Sequence, residues 1–164
     1  MNTEEQGIKK DEGEVGFRKL VVWKNARELR KKIYELTRRF ASIEIRRVSQ
    51  MRDAARSIKQ NIQEGYSKNS LGEYVRSLEI SKGSLGELMG DLEDCCEDEL
   101  INKEEFEDLR SLCIKTNYLL DRLLTALYEK KKSGTWQKRW IQPAVLKPLF
   151  FLVFPCSSVF FRLL

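Results

Sequence analysis

The sequence predicts an all-α fold, an antiparallel up-down-up-down four-helix bundle. Three observations predict it. Apolar residues recur at alternating steps of three and four along four segments, short connections join those segments, and only nine Gly and three Pro interrupt 164 residues.

In the first segment Val22, Ala26, Leu29, Ile33, Leu36 and Phe40 form the series, and in the second Val48, Met51, Ala55, Ile58 and Ile62. The third carries Leu71, Tyr74, Leu78, Ser81, Leu85, Leu88, Leu92 and Cys95, the fourth Phe106, Leu109, Cys113, Thr116, Leu120, Leu123 and Leu127. A seam repeating about every 3.5 residues is what left-handed helix packing requires. The punctuation agrees. Ser70-Leu71-Gly72-Glu73 reads as a capping box opening the third helix, and Asn102 with Glu105 does the same for the fourth. Gly65 is expected to end the second helix in the left-handed conformation. Connections near 41–43, 66–69 and 97–102 are short enough to make sequential helices antiparallel neighbours. The chain thus divides into an arm (1–16), a bundle (17–131) and a basic, aromatic and then apolar tail (132–164).

A second, polar line runs beside the seam. Ala54, Ser57, Asn61 and Glu64 lie on one side of the second helix, and Glu73, Ser77, Ile80, Ser84, Glu87 and Asp91 form the matching line on the third. Ser57, Asn61, Glu64, Ser84 and Glu87 are accordingly expected to tie helices or subunits together by hydrogen bonds. Gly72, Gly83, Gly86 and Gly90 crowd one side of the third helix, where each costs about 1 kcal/mol relative to Ala. Such a run makes sense if another backbone approaches closely. The line also holds carboxylates, and a Glu64/Glu87 pair could act as acid and base.

Catalysis finds little else to work with. The chain has no His, which removes the usual general base and the His ligands of di-iron bundles. Cys95, Cys96, Cys113 and Cys156 include no C-x-x-C pair, so reduced thiols are expected rather than zinc. No phosphate loop, dinucleotide fingerprint, HExxH or GxSxG motif occurs. The expectation is a protein that is not an enzyme, with no cofactor and no metal.

Charge is unevenly distributed. The net formal charge of +5 conceals +10 over residues 17–69, −9 over 70–129 and +7 over 130–164. Lys24, Lys31 and Arg38 fill the outermost position of the first helix, flanked by Arg27, Arg30, Lys32 and Arg39; Arg46, Arg47, Arg52, Arg56 and Lys59 follow on the second. Neighbouring helices would merge these into one positive surface suited to phosphate contact with nucleic acid. Basic and acidic halves also favour head-to-tail association of copies into a closed ring. A protein partner, such as a nucleic-acid enzyme, is the alternative reading.

The opening MNTEEQGIKKDEGEVG is polar and acidic rather than a secretory leader, so a cytoplasmic protein with reduced thiols is expected. After it comes the bundle, then KKKSGTWQKRW at 130–140, where Lys130, Lys131 and Lys132 precede two Trp, a mixture suited to nucleic acid or an anionic surface. The charge-free run from Pro148 to Phe161 is 14 residues, short of the roughly 20 a spanning helix needs. Membrane contact, docking on the bundle and an extension outside the domain all stay open for residues 141–164.

The blocks FRKLVVWKNARELRKKIYELTRRF, QMRDAARSIKQNIQEG and SLGEYVRSLEISKGSLGEL resemble the bacterial four-helix-bundle proteins encoded within intervening sequences of 23S ribosomal RNA genes. The marks are Phe17 with Leu20 and Trp23, Ser57-Ile58 through Asn61-Ile62 to Glu64-Gly65, Ser70 with Glu73, and Gly83-Ser84-Leu85 before Glu87-Leu88, over about residues 17–128. The resemblance implies a bundle assembling as a homopentamer with no enzymatic activity. A similar bundle serves diversity-generating retroelements as an accessory protein, a basic pentamer engaging a reverse transcriptase and RNA; that link is analogy of fold. The chain departs from the pattern at Ala41-Ser42, where a Pro is usual, at Gln63, where a small residue is usual, and in its apolar tail.

Overall fold

The computed structural model describes residues 16–136; the expectations for the arm before residue 16 and for the tail beyond 136, its apolar run included, lie outside the described residues. A 3-10 turn (Gly16–Lys19) leads into α1 (Val21–Leu36); two further 3-10 turns (Thr37–Arg39 and Ser42–Glu44) connect to α2 (Ile45–Ser67); α3 (Leu71–Glu97) and α4 (Lys103–Ser133) follow. Among the described residues there is no strand, and no helix is long and apolar enough to cross a membrane. Each helix packs on its two sequential neighbours, with α4 closing on α1. Side-chain partners fix the antiparallel sense. Lys32 late in α1 meets Asp108 early in α4, and Glu79 and Lys82 in α3 meet Tyr128 and Asp121 in α4. The predicted all-α up-down-up-down bundle is therefore the observed one.

The seam forms the core. Ala26, Leu29, Ile33, Met51, Ala55, Ile58, Ile62, Leu78, Leu88, Leu92 and Leu120 are all inaccessible to solvent. It slips at both ends of the chain. Leu124, not Leu123, is buried near the end of α4, because a straight helix drifts against a strict seven-residue repeat and α4 runs for 31 residues. In the first segment the helix stops at Leu36 rather than reaching Phe40, which packs half-buried against the core. Thr37 is buried there instead, its hydroxyl donating to the Ile33 carbonyl at 2.8 Å and accepting from Arg52 Nε at 2.8 Å.

The helix ends correct two expectations. Asn102 and Glu105 do form a reciprocal capping box on α4, the Glu105 amide reaching Asn102 Oδ1 at 2.9 Å and the Asn102 amide reaching Glu105 Oε2 at 3.1 Å. Ser70 occupies the corresponding place on α3 with extended backbone, but its side chain makes no cap hydrogen bond. Gly65 does not end α2, which continues to Ser67. It is buried where α2 meets α3, and a Cβ there would stand 2.8 Å from the Tyr74 ring and 2.9 Å from Ser77 Cβ. Its value is the missing side chain, which lets the most closely packed helix pair come together. Left-handed residues end other helices instead: Gly134, φ 65°, caps α4, and Glu99, φ 59°, follows α3. The Leu100 amide reaches back to the Cys95 carbonyl (2.9 Å) and the Glu99 amide to Cys96 (3.3 Å), a Schellman arrangement built without glycine.

The glycines of α3 behave oppositely to Gly65. A Cβ at Gly83, Gly86 or Gly90 would meet nothing within 4 Å among the described residues, so no described part of the same protomer's backbone approaches them.

Candidate nucleic-acid interface

Helical spacing builds the site. Trp23, Arg27 and Arg30 occupy one side of α1 at steps of four and three, and that side faces Lys59 and Gln63 of α2. Phe17 and Arg18, from the first 3-10 turn, close the end of the recess, whose volume is about 420 Å³. Phe17 stacks edge-on against Trp23 (centroids 5.2 Å apart) and against Tyr66, which in turn stacks on Tyr74, so an aromatic chain carries the floor into the α2–α3 pair. Arg27 and Lys59 lie over the Trp23 ring at 5.9 and 5.8 Å.

Among the residues lining this recess there is no carboxylate. Burial holds the Lys59 ammonium below its ordinary pKa, and repulsion from Arg30 and Arg27 adds to the effect. Trp23 is 7% exposed, and among the described residues its indole N–H is buried without an acceptor. The positive strip continues along α1 and α2, where Arg30 and Arg52 lie over the Tyr34 ring at 4.5 and 5.0 Å.

The remaining expected cations are scattered or neutralised. Lys31 lies 4.0 Å from Glu28, and Arg56 3.3 Å from Asp53. Lys24, Arg38 and Arg46 are exposed, and Lys130, Lys131 and Lys132 are exposed on the last turn of α4, where cations suit the helix dipole. Lys32, Arg39 and Arg47 leave the basic surface altogether. Lys32 bonds Asp108 (2.5 Å), Arg39 grips both oxygens of Glu105 (2.5 Å each), and Arg47 bonds Asp98 (2.7 Å). The single broad positive face expected from α1 and α2 is therefore narrower, centred on Arg27 and Lys59. Arg18 and Gln63 were not among its expected residues; the signal for Arg18 was its place beside Phe17, six residues before Trp23.

The polar line proves to be partly packing. The Ser57 and Ser84 hydroxyls share a hydrogen bond of 2.8 Å across α2 and α3, Asn61 Nδ2 donates back to the Ser57 carbonyl and hydroxyl, and the Ser81 hydroxyl donates to the Ile58 carbonyl at 2.9 Å. Glu64 and Glu87 do not join it. Glu64 is exposed and pairs with Lys68 at 2.8 Å. Glu87 sits with Ala54, because the antiparallel register that joins Ser57 to Ser84 puts residue 64 opposite about residue 77. Ten residues of helix, about 15 Å, separate the two levels. The geometry does not bring this acid–base pair together.

Glu87 belongs to a separate acidic groove of about 530 Å³ with Asp53, Gly86, Gly90, Asp91 and Asp94. Burial raises the Asp91 carboxyl, helped by Asp94 and Glu87.

Comparison with known proteins converges on one group. The chain resembles a solved structure of a protein of unknown function from the S23 ribosomal protein family, from Bacteroides thetaiotaomicron VPI-5482. The two are 22% identical, with a TM-score of 0.57, over 63% of this chain and 98% of that one, a likeness of fold. No curated protein matches. The family model described as 23S rRNA-intervening sequence protein matches residues 18–122, which takes in the polar line, the seam as far as Leu120 and every recess residue except Phe17. On that match the chain belongs to the 23S rRNA-intervening sequence protein family.

Proposed function

We propose that the protein is a non-enzymatic, homo-oligomeric bundle of the cytoplasm that binds RNA through the basic strip of α1 and α2. One observation carries the reading: cations converge around Trp23 with no carboxylate among the lining residues, while those nearest α4 are neutralised. A polyanion supplies the missing counter-charge, and its binding releases counterions in proportion to the phosphates contacted. The separation of Glu64 from Glu87 supports the non-enzymatic part.

Filter binding of a single-stranded RNA at increasing salt tests this. Contacts to four phosphates would give a log–log slope near −3, at about 0.7 per phosphate. A slope near zero overturns it.

A second reading, an oligomeric adaptor for a protein partner, is favoured by a different observation: the open glycines of α3 beside the acidic groove offer a face on which another chain can lie close. A ring, with five copies the expected number, would use the basic side of one copy against this groove on the next. Sedimentation decides whether copies associate at all, since a species of 19.3 kDa at all concentrations sinks the oligomer.

A further inference from the structure

We infer that the recess at the start of α1 is a site for a phosphate monoester, the terminal phosphate of an RNA chain or of a nucleotide, held by Arg18, Arg27, Arg30 and Lys59. Its assignment to RNA rests on the proposed function; its phosphate chemistry does not. Four cations converge on one recess among whose lining residues no carboxylate stands. A phosphodiester brings one negative charge, whereas a monoester brings about −1.5 to −2 with three strong acceptor oxygens. The monoester matches the larger convergence of charge, and arginine forks suit its geometry.

Two further features point the same way. The Lys59 ammonium shares the recess with Arg27 and Arg30 and is repelled by both, an arrangement that an anion relieves and water only screens. Trp23 lines the recess, and its indole N–H is a buried donor without an acceptor among the described residues. The aromatic floor of Phe17 and Trp23 fixes the recess before any ligand arrives, so little ordering is required on binding.

The full chain with Trp136→Phe and Trp140→Phe keeps Trp23 as its single tryptophan and reports on the recess by fluorescence. Its probes are adenosine 5′-monophosphate and one eight-nucleotide RNA in 5′-phosphorylated and 5′-hydroxyl forms. The expected result is a saturable Trp23 change with the nucleotide and about tenfold tighter binding of the phosphorylated RNA, the scale of one charged hydrogen bond. Arg27→Gln or Lys59→Gln should abolish that preference, weakening the phosphorylated RNA about tenfold more than the hydroxyl RNA, and Arg27→Lys should restore part of it. Both positions are on helix surfaces, and melting curves of the variants confirm folding. Equal binding of the two RNAs with no nucleotide response overturns the phosphate site and leaves the RNA reading standing. A nucleotide response without RNA binding of either form does the reverse. No response to any probe overturns both.

Discussion

The two sides of α1 carry the same residue types and opposite electrostatics. Toward α4, Lys32 and Arg39 meet Asp108 and Glu105 in direct ion pairs. Toward α2, Arg27, Arg30 and Lys59 meet aromatic rings and one another. The first side uses its cations to hold the bundle together. The second holds cations in a place where folding gains little from them, as the proposed RNA surface requires. A count of Lys and Arg on α1 does not separate these uses; the identity of the neighbouring helix does.

Three measurements can break or sharpen this contrast. The largest effect is expected at Glu105, whose carboxylate accepts from the Asn102 amide in the capping box and receives Arg39. Glu105→Ala should cost about 1–2 kcal/mol in urea unfolding, a cap plus a part-exposed ion pair. The Arg39 contact holds the Glu105 carboxyl below its ordinary 4.5, with the Asn102 amide helping. Its contribution is therefore present above that value and is lost as pH falls through the lowered one, a dependence the variant should lack. Unchanged stability would mean that the α1–α4 pairs do not hold the bundle. Next comes Lys32 with Asp108, whose double-mutant cycle should give a favourable coupling of about 0.5 kcal/mol, screened by salt. A coupling of zero would erase the difference between the two sides at that position. The smallest effect has the opposite sign. Lys59→Gln should leave stability unchanged or raise it by a few tenths of a kcal/mol, the scale of neighbouring like charges. The folded protein holds the Lys59 proton less tightly than the unfolded chain does. That penalty is present below the folded value and fades as pH rises toward 10.5, so wild-type stability should climb there relative to the variant. A clear loss of stability in Lys59→Gln would show that this cation is structural after all.

The seam was legible in the sequence because burial at every third or fourth position leaves a periodic trace. That trace is regular where helices are straight and fails at Leu123 and Phe40, where helical drift and an early turn intervene. The Asn102–Glu105 box was legible because both its partners are local. Gly65 was misread as a helix end because its reason lies on another helix, in the Tyr74 ring and Ser77. The recess was half legible. Arg27 and Lys59 stood out as surface cations, but their joint position over Trp23, with Arg18 closing the end, needed the crossing of α1 on α2. Glu64 and Glu87 occupy matching places on two sequence lines, and only the antiparallel register shows that they lie at different levels.

The bundle also carries its own opening gauge. Cys113 faces the core from α4, where burial pushes its thiol up to about 12, and Cys95 faces it from α3, raised by burial as well. Thiolate, the reactive form, is scarce at both while the helices stay packed. Alkylation can therefore proceed only as fast as each site is uncovered, and the two rates read the opening of α3 and of α4 separately. Half-buried Cys96, next in the chain to Cys95, serves as the reference that needs less opening. Adding RNA or nucleotide to such a labelling clock would show which helix a ligand steadies, using only cysteines the chain already carries.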